Sequence, residues 1–381
     1  MSRASLKMAA ADLVVTVAAL TGCASGGTGA SGSPSGTTAV PSNSTASGVD
    51  VAVAKAAIAK YTGTSTAFPV DVPLKSKPTG KTFAYLQCST PVCALFAQIL
   101  QPTQKMLGYT LKIVKAGPSA SQVQAAMDTI VSLKPAGVLL PAADPNQFPQ
   151  QLKELRQANI PVSADGIVDG AKWGIPADFL SDYTDTLAGK LMADWAVAQT
   201  GGGEVAFYGV PELSFTAPMQ SAFGREMAAI CSSCTVRNVD IPVAAIGTNA
   251  PSLVVSDLQS HPNTKAVVFD TSEAGTGLPA ALTAAGLKVK ILGFGPPPAV
   301  LGYIKQGQWD AALGVDGFTM IWAQLDALAR MVAGQPLTSG EKLGLPPIQF
   351  LTKGDITFDP THGWQAYPDF PQRFAKLWGA Q

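Results

Sequence analysis

Histidine is nearly absent from this chain of 381 residues, which contains only two. A metal centre built on imidazole ligands is therefore not expected, and we predict neither a metal nor a cofactor. Charge is also scarce, since Asp, Glu, Lys and Arg make up 14% of the residues, against about 25% in an average soluble domain. Basic and acidic residues number 26 each, so the concentrated basic surface that binds nucleic acid is not predicted.

Apolar residues are abundant instead. They make up 47% of the chain, which is enough to build a sizeable core and argues against a disordered protein. At about 100–200 residues per domain, the length suggests two domains.

The N-terminal residues resemble a leader followed by a tether. The charged start, the apolar stretch Met8–Leu20 and the Leu-Thr-Gly before Cys23 resemble a bacterial lipobox. This implies a lipoprotein signal peptide over residues 1–22 and a lipid on Cys23, and the alternative is an ordinary secretory peptide with a chance cysteine. Residues 23–48 are mostly small or polar, which is typical of a flexible tether. We expect the protein to be anchored by this lipid to the outer face of the cytoplasmic membrane.

The other four cysteines form two close pairs, Cys88 with Cys93 and Cys231 with Cys234. In an oxidising compartment, two local disulfides are the simplest interpretation. A four-thiolate zinc site is the alternative, and it is disfavoured because the pairs fall in different halves of a repeat.

That repeat is an alternation of short buried strands with helices. One series runs from Phe83–Gln87 to Phe179–Leu180, and a second runs from Glu204–Tyr208 to Ala311–Leu313. The pattern predicts an α/β fold with doubly wound parallel sheets in two lobes. Ligands of such sheets bind beyond the carboxyl ends of the strands, so the two lobes would share a cleft.

Several passages, in order along the chain, carry a resemblance to a known family. They are Lys134–Asn146, Leu155–Asp165, Asp182–Trp195, Leu258–Leu282, Lys290–Phe294 and Tyr303–Gly317. Over roughly residues 81–354 the chain resembles the type I periplasmic binding proteins of the sugar-binding kind, which are the solute receptors of ABC importers. Repressors of the same family begin with a helix-turn-helix headpiece, and here the leader and tether occupy that place.

The resemblance implies two lobes that are joined by three crossovers and close on a solute by hinge bending. The crossovers map near Ser181–Tyr183, Val315–Gly317 and Pro346–Leu351. Lobe 1 would consist of residues 81–182 and 316–345, and lobe 2 of residues 183–315 and 346–354. A monomer of this kind delivers its solute to ABC permease subunits. Signalling to a membrane receptor is the alternative, because the same cleft serves both functions.

Two extensions flank these lobes. Residues 49–80 begin with an Ala-rich helical stretch, Val51–Tyr61, and we expect the extension to pack on lobe 1. Residues 355–381 are rich in aromatic side chains, which either pack across a lobe or form a surface for a partner.

The candidate ligand-binding residues follow predicted strands or lie in adjacent loops and helix starts. They are Gln87, Thr90, Asp144, Asp165, Tyr208, Phe215, Met219, Ser272, Glu273 and Asp316. Structural roles are open for some of them. Asp144 precedes a proline as a helix cap would, Tyr208 and Phe215 fit a core, and Asp316 fits the hinge.

The predicted site lacks several polar residues that the family usually supplies. Thr216–Phe223 contains no Arg, Gly293–Gly295 lacks the usual Asp, and Val315 stands where Gln is common. A site built on buried polar groups selects a ligand that pairs with them. Their loss favours a solute less hydroxylated than a free pyranose, such as an aromatic, a deoxy compound or a small organic acid. The alternative is that the match of this sequence to the family pattern is offset by a few residues. Other residues would then supply the polar contacts.

Enzyme activity is not predicted. The segment Gly275–Ala280 matches the G-x-G-x-x-A pattern of dinucleotide-binding proteins, but no acidic partner for a ribose ends the next strand. Neither a nucleophile elbow nor a Walker loop is present in the sequence.

Overall fold

A computed structural model describes residues 48–63 and 65–380 of the protein. The predictions on residues 1–47, including the signal peptide and the lipid on Cys23, lie outside the described residues. Within those ranges, no helix has both the length and the apolar character needed to cross a membrane.

The first lobe is built on a five-stranded sheet in which every pair of neighbours is parallel, in the order β2-β1-β3-β4-β5. The three central strands are almost entirely buried, as expected for a parallel sheet with both faces covered. The strands are β1 (Thr82–Gln87), β2 (Thr110–Lys115), β3 (Gly137–Leu140), β4 (Val162–Asp165) and β5 (Ala177–Phe179). The helices of this lobe are α2 (Pro91–Leu100), α3 (Thr103–Leu107), α4 (Ala120–Leu133), α5 (Pro149–Gln157), α11 (Gly317–Val332) and α12 (Ser339–Leu343).

The second lobe is built on a six-stranded sheet in the order β11-β10-β9-β8-β6-β7, in which β11 alone is antiparallel. Its strands are β6 (Glu204–Gly209), β7 (Thr235–Asp240), β8 (Thr264–Phe269), β9 (Lys290–Phe294), β10 (Ala311–Val315) and β11 (Ile348–Thr352). Its helices are α6 (Asp182–Thr200), α7 (Thr216–Ile230), α8 (Ala250–Ser260), α9 (Leu278–Ala285) and α10 (Pro298–Gln306). Helices α6 and α7 pack closely at Gly189, where an added Cβ would lie 2.3 Å from the carbonyl oxygen of Met219.

Three connections between the sheets lie where the sequence predicts them. They are the link from β5 to α6, the link from β10 to α11 and the link from α12 to β11. Backbone hydrogen bonds join them, since the Leu180 N–H donates to the Gly344 carbonyl (3.0 Å) and the Asp316 N–H donates to the Pro347 carbonyl (2.9 Å). The predicted two-lobed α/β fold with a three-crossover hinge is confirmed.

The N-terminal extension corrects one prediction, because its helix packs on the second lobe. Helix α1 (Val51–Ala59) buries Ala54 in the core beside α6 and α7, and Val49 pairs with Cys231. Residues 65–80 follow the expectation, since Val70 is buried in the first-lobe core and Phe68 packs against it. The sequence of an Ala-rich helix does not indicate which lobe offers it an apolar groove. The extension therefore crosses from lobe 2 to lobe 1.

The C-terminal extension also spans both lobes. Ile356 and Trp364 are buried in the second-lobe core, whereas Phe374 and Trp378 of the final helical region are buried in the first-lobe core. Most of that region is helix α13 (Phe370–Leu377), and the Trp378 ring stacks on Trp322 of α11 at 5.3 Å between centroids. The aromatic side chains of this extension are therefore largely packed against the lobes rather than presented as a free surface.

Both predicted disulfides are present, Cys88–Cys93 in the first lobe and Cys231–Cys234 in the second. Their Cα–Cα separations of 5.5 Å and 5.3 Å are those of ordinary disulfides. The two pairs lie on different lobes, which is incompatible with one shared zinc site.

Candidate functional site

A cavity of about 340 Å³ lies between the two lobes. The first lobe contributes the start of α2, the end of β4 and the start of α11. The second lobe contributes the loop before α7, the turn after β8 and the residues that follow β9. Trp364 of the C-terminal extension completes the wall. The cavity thus lies at the carboxyl ends of the strands, where ligands of such sheets bind.

The wall is mainly apolar and aromatic. Its apolar members from the first lobe and the connections include Val92, Phe96, Pro141, Leu180, Val315 and Phe318. Those from the second lobe and the extension include Leu213, Phe215, Phe294, Pro296, Pro297 and Trp364. A mainly apolar wall with a few placed polar groups is the usual character of a small-molecule site.

Asp165 supplies a carboxyl group from the first lobe. It ends β4, is only 4% exposed, and its Oδ2 has no hydrogen-bond partner among the described residues. Burial raises the pKa of this carboxyl to about 7, and the nearby Gln324 amide opposes the rise. The next residue is Gly166 at φ +66°, where a Cβ would lie 2.7 Å from the Cβ of Ala142. The glycine lets the chain turn tightly at the cavity wall.

Glu273 supplies a carboxyl group from the second lobe. It lies in a 3₁₀ turn, Ser272–Gly275, is 5% exposed, and its Oε1 has no partner in the described ranges. Burial raises the pKa of Glu273 to about 7, and the nearby Val92 backbone N–H and Thr90 hydroxyl oppose the rise. Both groups lie at the start of α2 in the first lobe, so this carboxyl group faces the opposite lobe across the cleft. The N-terminus of a helix favours such a carboxylate.

Four of the predicted site residues line the cavity together, namely Thr90, Asp165, Phe215 and Glu273. Their positions follow from the strand ends and loops that the sequence indicates. Six others do not line it.

Gln87 and Asp144 lie outside the cavity. Gln87 lines a separate pocket on the first lobe with Gln98 and Lys115. Asp144 caps the short turn that follows it, because its Oδ1 accepts hydrogen bonds from both the backbone and the side-chain nitrogen of Asn146. The capping role that the proline suggested is the one observed.

Tyr208, Met219 and Ser272 are core residues. Tyr208 donates its hydroxyl to Asp257 (2.5 Å) and stacks on Phe269. Met219 is fully buried against α6, and Ser272 is fully buried beside Gly293. A parallel strand is buried on both faces, so the sequence does not show whether its last side chain points into the core or into the cleft.

Asp316 belongs to the hinge. It caps α11 by accepting hydrogen bonds from the Thr319 N–H (3.0 Å) and hydroxyl (2.6 Å). It also accepts one from the Ala366 N–H of the C-terminal extension (3.0 Å). These contacts satisfy the carboxylate without a solute.

Sequence reasoning missed several wall residues, chiefly Phe96, Leu213, Phe318 and Trp364. Three prolines that follow Phe294, namely Pro296, Pro297 and Pro298, also line the cavity and were not predicted to do so. Trp364 had no local signal, because it reaches the site from an extension that follows the last strand.

The glycine-rich segment after β8 has a packing role. A Cβ at Gly275 would lie 2.4 Å from the Trp309 ring, so the residue must be small for the turn to close against the core. Among the described residues, no group of three or more His, Cys, Asp or Glu side chains could hold a metal ion.

Comparison with known proteins identifies the fold. The profile of a family described as periplasmic binding protein domain matches residues 89–336. A carbohydrate transporter from Acidothermus cellulolyticus in complex with myo-inositol superposes with a TM-score of 0.64 at 17% identity, covering 78% of this chain and 100% of that one. An ABC transporter solute-binding protein from Agrobacterium vitis with α-D-tagatopyranose has a TM-score of 0.63 at 19% identity, covering 75% and 99%. A glucose-galactose binding protein from Geobacillus stearothermophilus has a TM-score of 0.63 at 16% identity, covering 75% and 100%. A search of curated proteins gave no match.

Proposed function

The chain belongs to the family of periplasmic binding protein domains, which are binding proteins and not enzymes, and on that premise we propose that it is an extracytoplasmic receptor whose lobes close on a small organic solute. The observation that carries this proposal is the cavity of about 340 Å³ whose wall both lobes supply. Its volume falls within the usual range for small-molecule sites. Solved structures of the same fold hold myo-inositol and α-D-tagatopyranose, which supports a sugar-like size for the solute.

The solute is less hydroxylated than a free pyranose. Each hydroxyl that enters an apolar cavity needs a hydrogen-bond partner, because an unpaired buried polar group costs about 1–3 kcal/mol. The side chains that offer such partners here are few, chiefly Thr90, Asp165, Thr271 and Glu273. A ring with one or two polar groups matches this wall better than a ring that is hydroxylated at every carbon.

The receptor delivers its solute to the permease of an ABC importer, as a monomer held to the membrane by the lipid on Cys23. The sequence of the leader and the family membership support this part of the proposal. Uptake of the solute by cells that lack this chain, compared with cells that have it restored, tests the delivery step.

A thermal-shift screen of the chain without its first 47 residues tests the receptor itself. The panel contains pentoses, hexoses, polyols, aromatic compounds, amines and small acids. We expect a single-ring solute with few hydroxyls to raise the unfolding temperature. Stabilisation confined to free hexoses would overturn the proposed solute class. If no compound raises the unfolding temperature, the result would contradict the receptor function.

A further inference from the structure

The cavity between the lobes has acidic groups on its wall and no basic partner for them. Its wall contains two carboxyl groups, Asp165 and Glu273, and none of the described residues that line it is Lys, Arg or His. Neither carboxyl takes part in an ion pair within the described part of the chain. By contrast, the buried carboxyl of Asp326 in the first lobe is paired with Arg330. A charge that is removed from water is costly unless it is paired.

Both carboxyls also keep one oxygen free. Asp165 Oδ2 and Glu273 Oε1 are buried and accept no hydrogen bond within the described residues. Two unpaired acceptor oxygens on the wall of one cavity indicate a ligand that supplies hydrogen-bond donors or positive charge.

The chemistry of the wall separates three classes of solute. A carboxylate solute would meet two groups of its own sign and no cation, which is unfavourable in a site of low dielectric constant. A neutral polyol would leave most of its hydroxyls against apolar side chains. An organic cation would pair with the carboxyls, and rings such as Phe215, Phe318 and Trp364 would accept both its apolar body and its charge.

We propose, on the basis of the receptor function above, that the solute is a small and largely apolar amine whose positive charge is compensated by the carboxyl groups of Asp165 and Glu273. The aromatic and proline side chains hold the hydrocarbon body, and the two carboxyls select the charge. This assignment excludes the small organic acids that the sequence left open.

Binding of a cation has a consequence that neutral solutes do not share. A positive charge beside a buried carboxyl stabilises its ionised form, so a carboxyl that is protonated in the empty site releases its proton when the amine binds. Calorimetry in buffers of different ionisation enthalpy measures this release.

The first test compares solutes that share one carbon body and differ in one group. The probes are 2-phenylethylamine, 2-phenylethanol and phenylacetate, and the cyclohexyl analogues of each, titrated into the chain without its first 47 residues near pH 7. The amine of at least one set should bind at least tenfold more tightly than the matching alcohol, with proton release, and the carboxylate should not bind. Equal or tighter binding of the alcohol or the carboxylate would overturn the proposal, as would a lack of binding by both amines.

The second test uses isosteric variants of the two carboxyls. Asp165→Asn and Glu273→Gln should each weaken binding of the amine at least tenfold and leave the alcohol within about threefold. Asp144→Asn is the matched control, because Asp144 lies outside the cavity, and it should bind the amine like the parent chain. An unchanged amine affinity in both cavity variants would contradict the assignment.

The two proposals fail in distinguishable ways. If a sugar, polyol or acid of the wider screen binds and no amine does, the amine assignment is wrong and the receptor function stands. If no member of the wider screen binds, both the receptor function and the amine assignment are wrong.

Discussion

At the scale of single residues, Asp165 illustrates how burial alone changes a carboxyl group. Its pKa is raised to about 7 because water is excluded and no cation replaces it. In the unfolded chain the same group ionises near its ordinary value of about 4. The unfolded state therefore loses this proton first as the pH rises, and the folded state loses stability between about pH 4 and pH 7.

We expect Asp165→Asn to remove this loss in the ligand-free protein. The free energy of unfolding of the variant minus that of the parent should increase as the pH rises from 4 to 7. Above pH 7 this difference should stay constant. An upper bound for the change is roughly 4 kcal/mol, since one pKa unit corresponds to about 1.4 kcal/mol. Urea unfolding at several pH values measures it, and parallel curves for both proteins would show that Asp165 ionises normally when folded.

Tyr208 and Phe215 provide a second prediction at this scale, because both are aromatic candidates and only Phe215 lines the cavity. Tyr208→Phe loses the hydrogen bond to Asp257, so the free energy of unfolding should fall by about 1 kcal/mol while solute affinity stays the same. Phe215→Ala should weaken solute binding at least tenfold. Titration calorimetry below the unfolding temperature of each variant checks this, and a binding defect in Tyr208→Phe would contradict the placement of that ring in the core.

At the scale of elements, helix α11 anchors both extensions through one buried group of charges. Arg330 pairs with Asp326 at 2.5 Å and with Glu341 at 3.3 Å. The Arg330 guanidinium also donates to the Val72 carbonyl of the N-terminal extension. Asp326 in turn accepts a hydrogen bond from the indole nitrogen of Trp378 in the C-terminal extension. Both extensions are therefore attached to α11, the helix that follows the crossover from β10.

Arg330→Ala should therefore be strongly destabilising. The substitution leaves Asp326 buried without its cation and releases the N-terminal extension, so we expect a loss of about 3–5 kcal/mol in the free energy of unfolding. The matched control is Lys190→Ala, which removes the more exposed pair with Glu226 (3.2 Å) and should cost about 1 kcal/mol or less. Chemical denaturation of both variants measures the difference, and equal losses would show that the buried group does not hold the extensions.

The elements differ in how far the sequence determines them. Phe83–Gln87 and Glu204–Tyr208 are predicted within one residue of the observed bounds of β1 and β6, because each is a short and mainly apolar run. The lobe on which α1 packs is not predictable, since that choice depends on a groove formed by residues far along the chain. Asp165 is found because a polar residue ends a buried strand, whereas Trp364 is missed because it comes to the site from another part of the fold.

At the scale of the whole molecule, the described chain passes between the lobes five times. Three passages are the crossovers of the hinge, and each extension adds one. The cavity is bordered by two of the crossovers, which supply Leu180 and Val315, and by the C-terminal extension, which supplies Trp364. The site therefore exists only when both lobes and the extension are in place.

Titration calorimetry with the solute that gives the largest thermal shift tests whether the solute binds between the lobes. Ala142 lies on the cavity wall, so Ala142→Trp would fill the cavity, whereas Ala280→Trp on the exposed surface of α9 would not. We expect one solute per chain for the parent and for Ala280→Trp, and no binding heat for a folded Ala142→Trp. Equal affinity in all three proteins would contradict the claim that the solute binds between the lobes.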